Sequence, residues 1–226
     1  MCYQVETCLM DILYEDNHII AAVKPVGVLS QSDGSGAPDM LALLKRYIKE
    51  KYDKPGNVYL GLVHRLDRPV GGVMVFARTS KAASRLSSQI REHTVGKYYM
   101  AVVTGAIEDS GVLTGYISKD EKDNKVTVYD KKTGDSKYAE LSYELLGTAG
   151  DMSLVRVALH TGRSHQIRAQ FAHAGHPLVG DHKYGNGKGT CDIALFCSEM
   201  QIDHPVTKER MTFTAALPSD YPWHIF

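Results

Sequence analysis

Four short runs decide how this chain folds: VLTGYIS at 112–118, KVTVYD at 125–130, YAELSYELL at 138–146 and SLVRVAL at 153–159. Each is rich in β-branched and aromatic residues, and acidic or glycine-containing turns separate them, which is the pattern of neighbouring antiparallel strands. Toward the N-terminus, YYMAVV (98–103) adds another strand. Before it, Thr79 or Ser80 caps a helix in which Ala82, Leu86 and Ile90 recur every four residues. Strands are expected at Ile19 to Val23, at 58–63 and at 73–77, the last two separated by HRLDRPVGG. Between the first two, Pro38 falls in the first turn of a helix whose apolar side includes Met40, Leu41, Leu44 and Tyr47 or Ile48. Toward the C-terminus, Ser164 initiates a helix through HQIRAQFAHAG that Gly175 ends. Short strands follow around MQID and MTFTA. No heptad, tandem repeat or long low-complexity linker interrupts the series. The pattern is α+β, with a mixed, largely antiparallel sheet and flanking helices, rather than a regular βαβ repeat.

The 226 residues, 43% of them apolar, suffice for one substantial core. A single compact domain over residues 11–221 is the default, and division into two small lobes around a cleft stays open. No apolar run approaches the roughly 20 residues that cross a bilayer. The start, MCYQVETCLMDILYED, has neither a basic leader nor a cleavage pattern, so a cytoplasmic location is expected. Cys2 and Cys8, and Cys191 and Cys197, form two distant pairs, each with five intervening residues. Reduced thiols fit that spacing better than a zinc site or a disulfide framework.

Formal net charge is zero, yet charge is unevenly distributed. Residues 61–105 carry seven Lys/Arg against two Asp/Glu, and 156–190 carry five against one; residues 106–155 hold six basic and ten acidic groups. Should the two basic segments converge, one face would attract a polyanion although the whole molecule is neutral. Ordinary variation of solvated charge is the competing explanation, and only chemistry separates the two.

Two segments carry that chemistry. In GLVHRLDRPVGGVMVFA (61–77), Asp67 stands among His64, Arg65 and Arg68. Positive neighbours favour a carboxylate over a carboxylic acid, and a carboxylate is a nucleophile at neutral pH. A surface salt bridge is the simpler alternative. In LHTGRSHQIRAQFAHAGHPLVGDHKYG (159–185), Arg163 sits in a turn and Arg168 near a helix start, with His165 and Gln166 beside it. A guanidinium fork suits either phosphate recognition or orientation of a carboxylate. His160, His165, His173, His176 and His182 lack HExxH spacing, so structural or polyanion-facing roles are expected and no metal. GNGKGT (185–190) lacks the GxxxxGK[ST] arrangement and reads as a turn.

Taken together, these segments resemble a known family. HRLDRPVGG resembles the catalytic motif of the RluA-type RNA pseudouridine synthases, and GRSHQIRAQFAHAGHPLVGDHKYG a second diagnostic region. GKYYMAVVTG (96–105) resembles the family's basic-aromatic strand motif, and LFCSEMQIDHPVTKERMTFTAALP (195–218) its closing segment. The resemblance runs through most of residues 11–221. It implies the pseudouridine synthase fold with a central RNA-binding cleft, and a cofactor-independent isomerase acting on uridine in structured RNA, either rRNA or tRNA.

By position, Asp67 matches the family's catalytic aspartate, Tyr99 its active-site tyrosine and Arg168 the arginine that pairs with the aspartate. Arg65 matches the arginine that braces the RNA stack, and Leu195 an apolar residue beneath the uracil. His64, Arg68, Arg163, His165 and Gln166 are the further candidate substrate contacts. The sequence departs from the family where PVGG, with Gly71, replaces a common Thr-Ser-Gly ending, and where Phe196 and Cys197 replace a frequent LHA pattern. The chain starts close to the catalytic region, so RNA selection is expected to rest on this domain or on an accessory partner, with a monomer as the default. A noncatalytic RNA-binding protein on the same scaffold and an aspartate-dependent hydrolase are the alternatives, and a test for pseudouridine separates all three.

Overall fold

The structure is a computed structural model that describes residues 10–185 and 191–226. Cys2, Cys8 and the GNGKGT turn beyond Gly185 lie outside the described residues. In chain order the elements are β1 (Ile12–Glu15), β2 (Ile19–Lys24), α1 (Met40–Lys51), β3 (Gly61–Leu62), β4 (Gly71–Ala77), α2 (Ser80–Arg91) and β5 (Gly96–Thr104). Then come β6 (Ser110–Asp120), β7 (Lys125–Tyr129), β8 (Lys137–Ala149), β9 (Met152–Leu159), α3 (Gln166–His173), β10 (Leu195–Asp203) and β11 (Arg210–Thr214), with a last 3-10 turn at Trp223–Ile225. The fold is α+β, and the pairs β1–β2, β2–β4, β3–β4, β5–β9, β9–β8, β8–β6, β6–β7 and β10–β11 are all antiparallel.

The chain forms two compact units. The first takes the described residues up to Val95 together with Glu199–Ala215; the second takes those of Gly96–Ser198 together with Ala216–Phe226. In the first unit, β2 pairs along β4 from Ile19 opposite Ala77 to Lys24 opposite Gly72. Every residue of β4 is buried, which matches its unbroken apolar sequence GVMVFA after Gly71. Strands covered on both faces need no alternation, and truncating a fully buried side chain such as Phe76 would cost about 3–5 kcal/mol. Helix α2 lies against β3 and β4. Thr79 caps it by accepting from the Ala82 N–H at 3.1 Å, and Asp39 does the same for α1 through Ala42 at 3.0 Å.

The second unit is a meander in which β9 pairs with β5 and β8, and β6 with β8 and β7. Here the strands alternate: in β7 only Val126 and Val128 are buried. Helix α3 packs on β6 and β7, placing fully buried Phe171 with its ring centroid 5.6 Å from that of Tyr143.

Several expectations need correction. The strand expected over 58–63 pairs only at Gly61 and Leu62, opposite Ala77 and Phe76; Tyr59 is half exposed and has no strand beside it, so β-propensity there goes unused. Pro38 precedes the cap Asp39 rather than opening α1, and Leu43 rather than Leu41 joins the buried face. Ser164 does not start α3. The cap residue is His165, whose φ of 50° is left-handed, and it makes no side-chain cap bond. Gln166 instead fixes the turn leading into the helix: its Oε1 accepts from the Arg163 N–H at 3.0 Å and the Thr161 hydroxyl at 2.8 Å. Gly175 ends α3 as expected, with its N–H on the Ala172 carbonyl and the His176 N–H on that of Phe171, the paired bonds of a Schellman turn. Strand β1 was not anticipated.

Candidate active site

The segment HRLDRPVGG runs between β3 and β4 in the first unit, where flanking strands fix both ends of the loop. Its path is set mainly by bonds to main-chain atoms. Ser30 Oγ donates to the Leu66 carbonyl at 2.8 Å and accepts from the Leu66 N–H at 3.1 Å. The Arg68 carbonyl accepts from the Gly27 N–H at 3.0 Å and from Lys24 Nζ at 3.0 Å. The Val70 N–H closes a turn onto the Asp67 carbonyl at 3.0 Å. These bonds hold Asp67 half-buried between buried Leu66 and two solvent-exposed arginines, Arg65 and Arg68. Arg68 Nε donates to the Gly27 carbonyl at 3.1 Å. His64 Nε2 accepts from the Val75 N–H at 3.0 Å, which assigns that nitrogen as unprotonated.

Lys24 is the unforeseen residue of this loop. Its side chain is fully buried at the end of β2, and its ammonium donates to three carbonyls, those of Pro25 at 3.0 Å, Val28 at 2.6 Å and Arg68 at 3.0 Å. Burial pushes its pKa down to about 8; the Asp67 charge opposes the shift and Arg68 adds to it. A positive charge is therefore stored under the loop, within electrostatic reach of Asp67.

In the second unit, Tyr99 lies buried on β5, and Leu195, also buried, begins β10. Arg168 is in the first turn of α3, 7% exposed, and Asp181 grips one edge of its guanidinium: Nε to Oδ2 and Nη2 to Oδ1, both at 2.8 Å. Burial raises the Asp181 carboxyl, but the Arg168 bonds and charge, with the N–H groups of Lys183 and Tyr184, outweigh it and hold the group below the ordinary carboxylate range. Gly180 makes this grip reachable. Its φ is 75°, and a Cβ there would fall 2.3 Å from the Asp192 carbonyl oxygen, so only glycine lets the chain turn at that point.

The remaining expected residues cluster around the same helix start. His165 Nδ1 meets the Tyr184 hydroxyl at 2.6 Å, and that hydroxyl also accepts from the Val126 N–H at 2.9 Å. The Tyr184 ring lies 5.2 Å below the Arg168 guanidinium. Gln166 is 2% exposed, and its amide closes the 161–166 turn and donates to the Glu140 carbonyl at 3.0 Å. Arg163 Nε donates to the Tyr138 carbonyl at 3.1 Å. The histidines are dispersed: His160 meets Ser142, His173 meets Asp130 and His176 meets the Thr104 carbonyl. Sequence reasoning missed Lys24, Ser30, Asp181 and Tyr184. A lone lysine ending the apolar run IIAAV, and an aspartate directly after a glycine in VGDHKYG, were the available signals.

These features coincide with a known family. The profile of the RNA pseudouridylate synthase family matches residues 18–173. Among curated relatives, ribosomal large subunit pseudouridine synthase D of Pseudomonas aeruginosa is 32% identical, the match covering 95% of this chain and 70% of that protein. An uncharacterized RNA pseudouridine synthase of Bacillus subtilis is 36% identical over 93% of this chain and 70% of its own. The tRNA pseudouridine synthase C of Yersinia pestis is 31% identical over 95% and 88%. Among solved structures, human RNA pseudouridylate synthase domain containing 4 has the same fold, with a TM-score of 0.77 at 21% identity over 92% of this chain and 88% of that one. The chain belongs to the RNA pseudouridylate synthase family. It is an RNA uridine isomerase. No helix among the described residues is long and apolar enough to cross a membrane.

Proposed function

We propose that this protein converts uridines of ribosomal or transfer RNA to pseudouridine, with Asp67 as the nucleophile and Tyr99 and Arg168 as further catalytic residues. The observation that carries the reading is the anchoring of the Asp67 loop at Leu66 and Arg68, over a buried ammonium that attracts the carboxylate. A nucleophile must be held against recoil, and a fixed loop does this. The names of relatives acting on large-subunit rRNA and on tRNA support the two substrate classes.

In this reading the target uridine first leaves its stack, at a cost of a few kcal/mol. Contacts to the base, with Tyr99 and Leu195 the groups carried over for it, offset that cost at about 1–3 kcal/mol per stacked base. Asp67 then adds covalently, either to the ribose anomeric carbon or to the uracil. The N1–C1′ bond breaks, the base rotates, a C5–C1′ bond forms, the bond to Asp67 breaks to return the carboxylate, and the proton lost from C5 is balanced by one gained at N1. Atoms are conserved, so the reaction needs no redox partner. Arg168 keeps its proton at ordinary pH, so its role is to orient a carboxylate rather than to supply an acid proton.

Unmodified transcripts of large-subunit rRNA and of tRNA, incubated with the protein and mapped for pseudouridine, test the proposal. Conversion in one class is expected, and Asp67→Asn should reduce it to background. Binding without any conversion would leave a noncatalytic RNA-binding protein instead. Normal conversion by Asp67→Asn would remove the nucleophile from this account. Comparing modification maps of cells with and without the gene assigns the nucleotide.

A further inference from the structure

The geometry points to a base-binding pocket in the second unit, between α3 and β6, where one unpaired base of the bound RNA donates an N–H to Gln170 Oε1 while a neighbouring phosphate meets Lys131 and Lys132. The inference rests on the reading of this protein as an RNA uridine isomerase and adds to it a site apart from the target uridine.

Gln170 is the residue that calls for a ligand. It is 2% exposed, and its Nε2 donates to two sheet carbonyls, those of Leu113 at 2.9 Å and Ala139 at 3.3 Å. These bonds fix the amide, because the flipped orientation would set its oxygen against two carbonyl oxygens. Oε1 is thereby left as an acceptor, and among the described residues nothing donates to it although it is buried. A buried acceptor without a donor is costly, and the helix and strands around this one supply none. Arg168, two residues earlier, turns instead to Asp181, so the two side chains leave different sides of α3.

A pocket of about 190 Å³ adjoins the amide, walled by Gln170 with Leu113 and Val128 and rimmed by Thr114, His173 and Ala174. A water occupies about 30 Å³ of liquid, so the space exceeds what one bridging water fills, yet it falls short of the roughly 300 Å³ at which sites for drug-sized molecules begin. One planar ring is the size that fits. Apolar walls beside a single acceptor suit a ring with N–H groups on its edge, which a nucleobase has. The rim is open: Val112, which also borders the pocket, is 61% exposed, and Thr114, His173 and Ala174 are exposed beside it. His173 Nε2 meets Asp130 Oδ1 at 2.9 Å, which brings the exposed Lys131 and Lys132 that follow to this end of α3. With Asp130 engaged by the histidine, two ammonium groups beside a slot for one ring match a base and the phosphate attached to its ribose.

Ala174→Met and Thr114→Phe fill the rim from two exposed positions, one on the helix and one on the strand. Each should raise the KM for the rRNA or tRNA transcripts named above about tenfold, the loss falling on KM more than on kcat, and the double variant should lose little more than either alone. Lys131→Gln with Lys132→Gln should lower the slope of log affinity against log salt by about 1–2. Ultraviolet crosslinking of bound RNA, read by peptide mapping, should join a base to residues 112–114 or 170–174 in the wild type and not in Ala174→Met. Thermal melting checks that each variant is folded, and Ala174→Leu replaces one that is not. An unchanged KM in both filled variants, crosslinks elsewhere only, or an unchanged salt slope would overturn the proposal and leave Gln170 Oε1 to water alone. If the wild type crosslinks here and Ala174→Met does not, but no pseudouridine forms, the catalytic reading fails while the pocket stands.

Discussion

The loop after β3 is anchored at Leu66 and Arg68 through main-chain atoms, whereas the start of α3 is anchored through side chains. In the first case a buried lysine, a serine and the Gly27 amide read the backbone of the loop. In the second, Asp181 fixes Arg168, Gln166 fixes the preceding turn and Tyr184 fixes His165. The difference matters for how each segment tolerates change. A main-chain anchor holds position whatever side chain the loop presents, so its weak points lie in the residues that reach in. A side-chain network loses its geometry when any member is replaced, and a charged member leaves its partner buried and uncompensated.

The largest expected effect comes from breaking the side-chain network. Asp181→Asn removes the charge that balances a 7% exposed arginine, and should destabilise the second unit by about 3–5 kcal/mol, measured by denaturant unfolding. Activity at a temperature where the variant is folded should fall as well, because Arg168 loses the grip on one edge. Since the folded Asp181 carboxyl is held below its unfolded value, its contribution to stability is complete above the unfolded carboxylate pKa and disappears as acid protonates it. Wild-type stability should therefore drop more steeply than that of Asp181→Asn below about pH 4. Parallel acid profiles would mean that the pair contributes no such term.

Breaking the main-chain anchor should cost less. Lys24→Met leaves three carbonyls without their shared donor but also removes a buried charge, for a net loss of about 1–3 kcal/mol. The pH dependence has the same sign as that of Asp181 but falls in the alkaline range. Lys24 titrates at about 8 when folded and higher when unfolded, so the unfolded chain binds the extra proton between these values. Stability of wild type relative to Lys24→Met should rise as pH increases from about 8 toward 10. A difference that stays flat across this range would place the ammonium in a better-hydrated site. The smallest effect is expected for Ser30→Ala, about 1 kcal/mol, with a modest loss of pseudouridine formation as the loop gains freedom at Leu66. If Ser30→Ala and Lys24→Met together cost more than their sum, the two anchors act as one unit.

The same contrast explains what was legible in the sequence. The meander and α2 followed from periodicity because those elements show one face to the core, as Val126 and Val128 do in β7. Strand β4 was legible as an unbroken apolar run. The start of α3 was displaced because a serine there looks like a cap, whereas the chain uses a left-handed His165 and a glutamine reaching back from the helix. Asp67, Tyr99 and Arg168 were reached by resemblance to a family, since no local spacing distinguishes a nucleophile from a surface carboxylate. Lys24 and Asp181 escaped because their partners are 44 and 13 residues away, and one of those partners is a carbonyl that every residue possesses.

One feature of the chain path constrains the order in which the units can be completed during synthesis. The first unit includes Glu199–Ala215, which emerges from the ribosome only after most of the second unit has been made. Asp16 waits 188 residues for its bond to His204, and Gln89 waits 114 for Asp203. During translation the β5–β9 meander thus has all its strands first, while the N-terminal hydrophobic strands stay incompletely covered until residue 215 is out of the exit tunnel.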